Sequence, residues 1–205
     1  MKNGLTIITL FLLYSCNKID SSDIILPIIT EIVCVETDSY GDIKKIVTDN
    51  KKQYLVSGYN ETQLSPDTVY RVICTYYLES LGTASIISTY NILSEYAIPH
   101  SILSGFIKTD PIKLTSIWSG GGYLNIVFQI TTLNKVHIIS AIDYTEGSKV
   151  KFGIYHDAQG DDSLFTKSNY MSIPLNLYNF LSIGDSITFV FNSYDGEEER
   201  TIAFK

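Results

Sequence analysis

From Glu31 onward the chain is written in short runs of β-branched and aromatic residues, each soon stopped by a cluster of Gly, Pro, Asn, Asp or Ser. A side chain branched at Cβ or carrying a ring packs well on a pleated surface and loses rotamer freedom on a helix, so such runs read as strands. Almost no stretch repeats its apolar residues at helical spacing, which confines the fold to sheets. Composition agrees where it matters. Fifteen Tyr and nine Phe stand against two Met, and 45% apolar with 18% charged residues is globular usage rather than a disordered tail.

The runs fall into two groups. Glu31–Thr37, Ile43–Val47, Gln53–Val56, Thr68–Leu78 and Ala84–Leu93 are separated by Asp38–Asp42, by the polar Thr48–Lys52 and by Ser65-Pro66-Asp67. Five strands in so short a span predict a small OB-like barrel over residues 30–100. Residues 101–110 then read as a linker. Seven further runs follow: Ile112–Trp118, Tyr123–Thr132, Lys135–Ile142, Lys149–His156, Ser172–Leu177, Ser186–Phe191 and Arg200–Phe204. Breaks such as Gly120-Gly121-Gly122, Glu146-Gly147-Ser148 and Asp195-Gly196 make residues 111–205 a seven-stranded antiparallel β-sandwich, with one helical turn expected at Tyr178–Leu181.

The start of the chain carries an address. Met1-Lys2-Asn3 precedes the uncharged run Gly4–Tyr14, too short to span a bilayer, which needs about 20 residues, but fitting the core of a signal peptide over residues 1–15. Leu13-Tyr14-Ser15-Cys16 resembles a bacterial lipobox, which implies lipidation at Cys16 and a tether over 16–29. Each buried CH2 of an acyl chain contributes about 0.8 kcal/mol, so several chains would moor the protein firmly. Removing residues 1–15 takes away Lys2 and no acid, deepening the formal charge from -7 to -8. That sign disfavours nucleic acid, and it means that membrane attachment would rest on acyl chains rather than on charge. The expected location is the bacterial cell envelope at the outer membrane, on either face.

Trp118-Ser119-Gly120-Gly121-Gly122-Tyr123-Leu124-Asn125-Ile126, then Lys135-Val136-His137, Tyr155–Asp161 and the closing Tyr194–Glu198 through Lys205, resemble the NigD-like family of bacterial envelope lipoproteins. The resemblance implies a lipidated tether, an N-terminal OB domain and a C-terminal β-sandwich. The family's name, taken from a bacteriocin gene cluster, hints at a protection or immunity role. It brings no catalytic residue set.

The residues themselves name no active site. Gly120–Gly122 is followed by a strand and not a helix, so it reads as a tight bend beneath Trp118 rather than a phosphate cradle. No serine sits in a nucleophile elbow. His137 reads as a partner-satisfied strand residue. The loop His156-Asp157 to Asp161-Asp162 reads as a solvated turn without the alternating acids of a calcium loop, and zinc has no ligand set. No cofactor is expected. Tyr70, Tyr76 and Tyr77 on the long run, with Trp118, are the candidate ligand-stacking residues; alternation puts Tyr70 and Tyr76 on one face and Tyr77 on the other. Cys34 and Cys74 either pair, as export permits, or are two buried thiols. The expected role is non-enzymatic binding or structural work, with an envelope protein, a glycan or a peptide as partner.

Overall fold

A computed structural model describes residues 26–205 except 59–63, 81, 104, 106 and 163. The signal peptide, Cys16 and the tether as far as residue 25 lie outside the described residues. Among the described residues no helix is long and apolar enough to cross a membrane.

Strands β1 (Ile28–Thr37), β2 (Ile43–Thr48), β3 (Gln53–Val56), β4 (Val69–Ser80) and β5 (Thr83–Asn91) close into a barrel in the order β1-β2-β3-β5-β4. Alternation decides what fills it. Val33 and Val35 of β1, Ile46 of β2, Val72, Cys74 and Tyr76 of β4 and Ala84 of β5 point inward as one cluster. A barrel this small is filled by side chains and leaves no lumen. The β4–β5 ladder shifts register between Thr75 and Tyr76, a bulge that bends the strands around the closed circumference. The first strand begins at Ile28, within the span assigned to the tether, because Ile28 and Ile29 pair with Tyr77 and Tyr76.

Among the described residues nine strands build the sandwich. One sheet runs β14 (Gly196–Ala203), β13 (Ser186–Ser193), β11 (Val150–Asp157), β10 (Ile138–Asp143), β7 (Ile98–Pro99); the other runs β6 (Leu93–Ser94), β12 (Phe165–Pro174), β9 (Tyr123–Thr132), β8 (Lys113–Gly120). Leu124, Ile126 and Phe128 from one sheet meet Phe152, Ile187 and Phe189 from the other, and Met171 and Ile173 complete the layer. Tyr178 closes one end, edge-on to Phe152 at 5.1 Å, with its hydroxyl donating to Asp143 Oδ2 at 2.8 Å.

Several details differ from the sequence reading, each for a physical reason. The short strands β6 and β7 both precede residue 100, within the span expected to be barrel, yet pair with β12 and β10, so sandwich pairing begins directly after β5. Those pairs, and β11 with β13, are parallel; every other ladder of the sandwich is antiparallel. Lys135–His137 is not strand: Asn134 turns at φ 77°, and Asp161 takes the backbone N–H groups of Leu133 and Lys135 away from any ladder. At Tyr178–Leu181 two successive turns, closed by Tyr178 N–H to Leu175 O and Leu181 N–H to Tyr178 O, replace the expected helical turn.

Candidate functional site

Barrel and sandwich meet around one buried cation. Arg71 sits on β4 between the inward Val72 and Tyr70, so its own side chain points out of the barrel, and there the sandwich covers it to 1% exposure. Its guanidinium donates to Asp49 Oδ1 at 2.6 Å, to Asn125 Oδ1 at 2.9 Å and to Ser172 Oγ at 3.4 Å, and it lies 4.5 Å over the ring of Tyr123. Asp49 comes from the β2–β3 turn. Its second oxygen accepts from Trp118 Nε1 and from Asn125 Nδ2, both at 3.2 Å. Ser172 Oγ in turn donates to Asn125 Oδ1 at 2.7 Å. A buried charge is tolerable only when paired and hydrogen-bonded, and these partners meet both conditions for Arg71.

The triple glycine is explained by the same contact. Gly121 and Gly122 turn the β8–β9 hairpin at φ 62° and 85°, as a two-residue hairpin loop demands. A Cβ on Gly120 or Gly121 would stand 2.8 or 2.6 Å from an Asp49 carboxylate oxygen, so the glycines also clear room for that side chain. The bend therefore brings Trp118 against the barrel's Asp49 instead of folding it over the sandwich core.

Two clefts open at this junction. One, of about 700 Å³, is lined by Cys34, Asp49, Lys51, Trp118, Gly121 and Lys205. The other, of about 730 Å³, lies between Thr30 and Thr75 of the barrel and Asn169 and Tyr170 of the sandwich, with Tyr90 at the end of β5. Tyr90 is 69% exposed and Tyr170 36%. Lys167 is the one charged residue on its described walls, so this cleft offers two rings, aliphatic surface from Ile73, Ile92 and Ile139, hydroxyls, carboxamides and a single cation. Ligand sites have this size and this mixture of aromatic surface with a few polar groups.

The expected stacking residues are dispersed. Tyr76 is in the barrel core, donating to Glu31 Oε1 at 2.7 Å, and burial raises its phenol; it cannot serve as a platform while the barrel is closed. Tyr70 packs against that core and its hydroxyl accepts from Ser65 N–H at 2.9 Å. Tyr77 faces the other way and is half-buried. Of the four, Trp118 alone lines one of the two junction clefts. Tyr90 lies inside the strand run Ala84–Leu93 and Tyr170 follows the polar Thr166–Asn169, so neither carries a local signal, and only tertiary pairing brings them to one cleft. The cysteines are free thiols: Cys34 stands opposite Arg71 on the outer face of β1 while Cys74 points into the barrel, so their side chains lie on opposite sides of the sheet. Burial pushes the Cys74 thiol up to about 12. Burial, with the Cys34 sulfur second, pushes the Tyr123 hydroxyl up to about 12, so it stays a neutral phenol under the guanidinium. Among the described residues no group of three or more His, Cys, Asp or Glu is placed to hold a metal.

No curated protein matches the chain. Among solved structures it is similar to a NigD-like immunity protein from Bacteroides caccae, at 28% identity and a TM-score of 0.70, over 84% of this chain and 91% of that one. It shares a fold with a structure from Parabacteroides distasonis labelled toxin related, at 17% identity and a TM-score of 0.72, over 87% of this chain and 94% of the other. It also shares one with a structure from Bacteroides fragilis labelled a lipoprotein, at 12% identity and a TM-score of 0.60, over 87% and 98%. Residues 99–205, more than half of the chain, match the family described as the NigD-like C-terminal beta sandwich domain, and the chain belongs to the NigD-like family.

Proposed function

We propose that this chain is a lipid-anchored protein of the bacterial envelope, moored through Cys16, that binds a partner at the junction of barrel and sandwich and performs no chemistry there. The observation that carries the reading is the cleft flanked by the exposed rings of Tyr90 and Tyr170, its wall combining apolar Ile73, Ile92 and Ile139 with hydroxyls, carboxamides and Lys167. Tyr presents a large amphipathic surface at little entropic cost, which suits it to non-covalent recognition. The hydroxyls and carboxamides around it match a glycan or a peptide backbone better than a polyanion.

Three experiments test the two halves. Radiolabelled palmitate is expected to enter the wild-type chain and not Cys16→Ala; labelling of both, or of neither, removes the anchor from the account. A glycan array and a pull-down from detergent-solubilised envelope, each run with the wild type and with the Tyr90→Ala/Tyr170→Ala pair, test the cleft. A signal lost in the pair while the thermal melt is unchanged supports it; a signal indifferent to both rings overturns it.

An immunity role is the second reading, favoured by the likeness to the NigD-like immunity protein of Bacteroides caccae over 84% of this chain. It makes the partner a protein toxin or its target. Survival of sensitive cells that express the chain, when challenged with a toxin-producing neighbour, is its measure.

A further inference from the structure

Two histidines meet at one end of the sandwich. His137 lies just ahead of β10 and His156 within β11, and their side chains are almost fully enclosed. His137 Nδ1 is 2.8 Å from His156 Nε2, His137 Nε2 is 3.2 Å from Asp161 Oδ2, and His156 Nδ1 is 2.9 Å from the carbonyl oxygen of Asp110. Asp161 Oδ2 also accepts from Thr132 Oγ1 at 2.5 Å and from the backbone N–H groups of Leu133 and Lys135.

The hydrogens in this chain can be counted. A carbonyl oxygen only accepts, so His156 Nδ1 carries a proton. A carboxylate only accepts, so His137 Nε2 carries another. If both rings were neutral, those two protons would exhaust them, and the facing Nδ1 and Nε2 would present lone pair to lone pair at 2.8 Å. Three simultaneous hydrogen bonds require a third proton between the rings. We infer that His137 is an imidazolium, donating at once to Asp161 and to neutral His156, and that this extra proton latches the segment 133–137 to the turn 157–161.

The surrounding charges agree with that assignment. Asp161 has a buried second oxygen with no hydrogen-bond partner among the described residues, so its negative charge calls for a full cation beside it. Its carboxyl is held well below the usual carboxylate range: burial opposes this, and the bonds from Thr132, Leu133, His137 and Lys135 outweigh burial. Burial lowers His156, which suits the neutral partner. The other charged groups nearby are engaged elsewhere. Lys108 pairs with Asp157 at 3.1 Å, Asp110 accepts from Ala158 N–H at 2.7 Å, and Lys135 Nζ donates to Gly160 O at 2.7 Å. Lys167, across the small cavity lined by His137, opposes a cation there, and Asp161 must outweigh it. That cavity shares Ile139, Lys167 and Asn169 with the Tyr90–Tyr170 cleft, so the latch forms part of the same wall. The latch stands whether or not that cleft takes a ligand.

The chain has three histidines, so nitrogen-detected magnetic resonance of the full-length protein in detergent micelles, labelled at histidine with 15N, reads each ring separately. At pH 7.5 both nitrogens of His137 are expected to carry protons and His156 to carry one, on Nδ1. Two neutral rings, or two cationic ones, would overturn the inference without any variant being made. Raising the pH until His137 loses its second proton is expected to speed amide exchange at Lys135 by about tenfold beyond base catalysis alone. Exchange that stays unchanged through that step would overturn the latch. In Asp161→Asn, His137 is expected to hold a single proton at pH 7.5; retention of both would show that Asp161 does not hold the charge.

Discussion

Replacing Arg71 by Met tests how much of the molecule rests on the junction. Met keeps most of the apolar stem and removes the guanidinium, which is 1% exposed and bonded to Asp49 at 2.6 Å. Breaking one side of a buried ion pair costs about 3–5 kcal/mol, because the remaining charge is left uncompensated. Here the remaining charge is eased, since Asp49 is 17% exposed at its side chain and keeps its bonds from Trp118 and Asn125. Asn125 likewise keeps Ser172. The cost should therefore fall at the lower end, about 3 kcal/mol, which for a chain of this size lowers Tm by roughly 6–12 °C. Asp49→Asn alone should be similarly harmful, as it strands the more deeply enclosed Arg71. Arg71→Met with Asp49→Asn should be better than the sum of the two singles by about 2 kcal/mol, because no unpaired charge remains. Urea unfolding followed by circular dichroism on the four proteins gives the cycle directly. If Arg71→Met unfolds within about 1 kcal/mol of the wild type, or the two substitutions simply add, the junction is not held by this pair.

Other outcomes follow from the same contacts. Gly121→Ala forces a Cβ to 2.6 Å from Asp49 at a backbone φ of 62° and should cost about 2 kcal/mol or more in a thermal melt, whereas Gly160→Ala, whose added Cβ meets open space, should carry only the backbone strain of its φ of 65°. Cys74, enclosed and with its thiol raised by burial, should resist iodoacetamide in the native protein and react after denaturation, and non-reducing mass spectrometry should find no Cys34–Cys74 bond. Burial lowers His156, so the unfolded chain takes up a proton as pH falls through about 6.5 while the folded chain does not. Its contribution is thus intact above about pH 6.5 and is lost below it, by no more than about 1.4 kcal/mol per pH unit. Urea midpoints at pH 7 and 5 check this, and a His156→Gln variant with an undiminished acid slope would count against it.

Much of the fold was legible because turn chemistry is local. Thr48–Lys52, Glu146-Gly147-Ser148 and Asp195-Gly196 each mark a reversal by residue type alone, and the inward alternation of Val72, Cys74 and Tyr76 can be read from β4 by itself. What failed depended on partners distant in sequence. The polar first half of β12, from Phe165 to Tyr170, has little apolar signal and is strand because β9 supplies its ladder. Strands of two residues such as β6 and β7 carry no periodicity at all. The candidate site was harder still. Arg71 and Asp49 look like ordinary surface charges in a strand and a turn, and only the covering sandwich buries the one and half-buries the other; the His137–His156 approach likewise depends on β10 pairing with β11.

The first strand of the barrel has neighbours on both sides, nine residues matched to β4 and five to β2, and it is the part of the described chain nearest the N-terminal end. A tug applied ahead of Ile28 would run lengthwise along that strand, loading both ladders in shear so that many rungs share the force together. An edge strand pulled outward would instead unzip one rung at a time. If the chain is moored from its N-terminal side as proposed, any pull on it would enter through the strand that is laddered to neighbours on both sides.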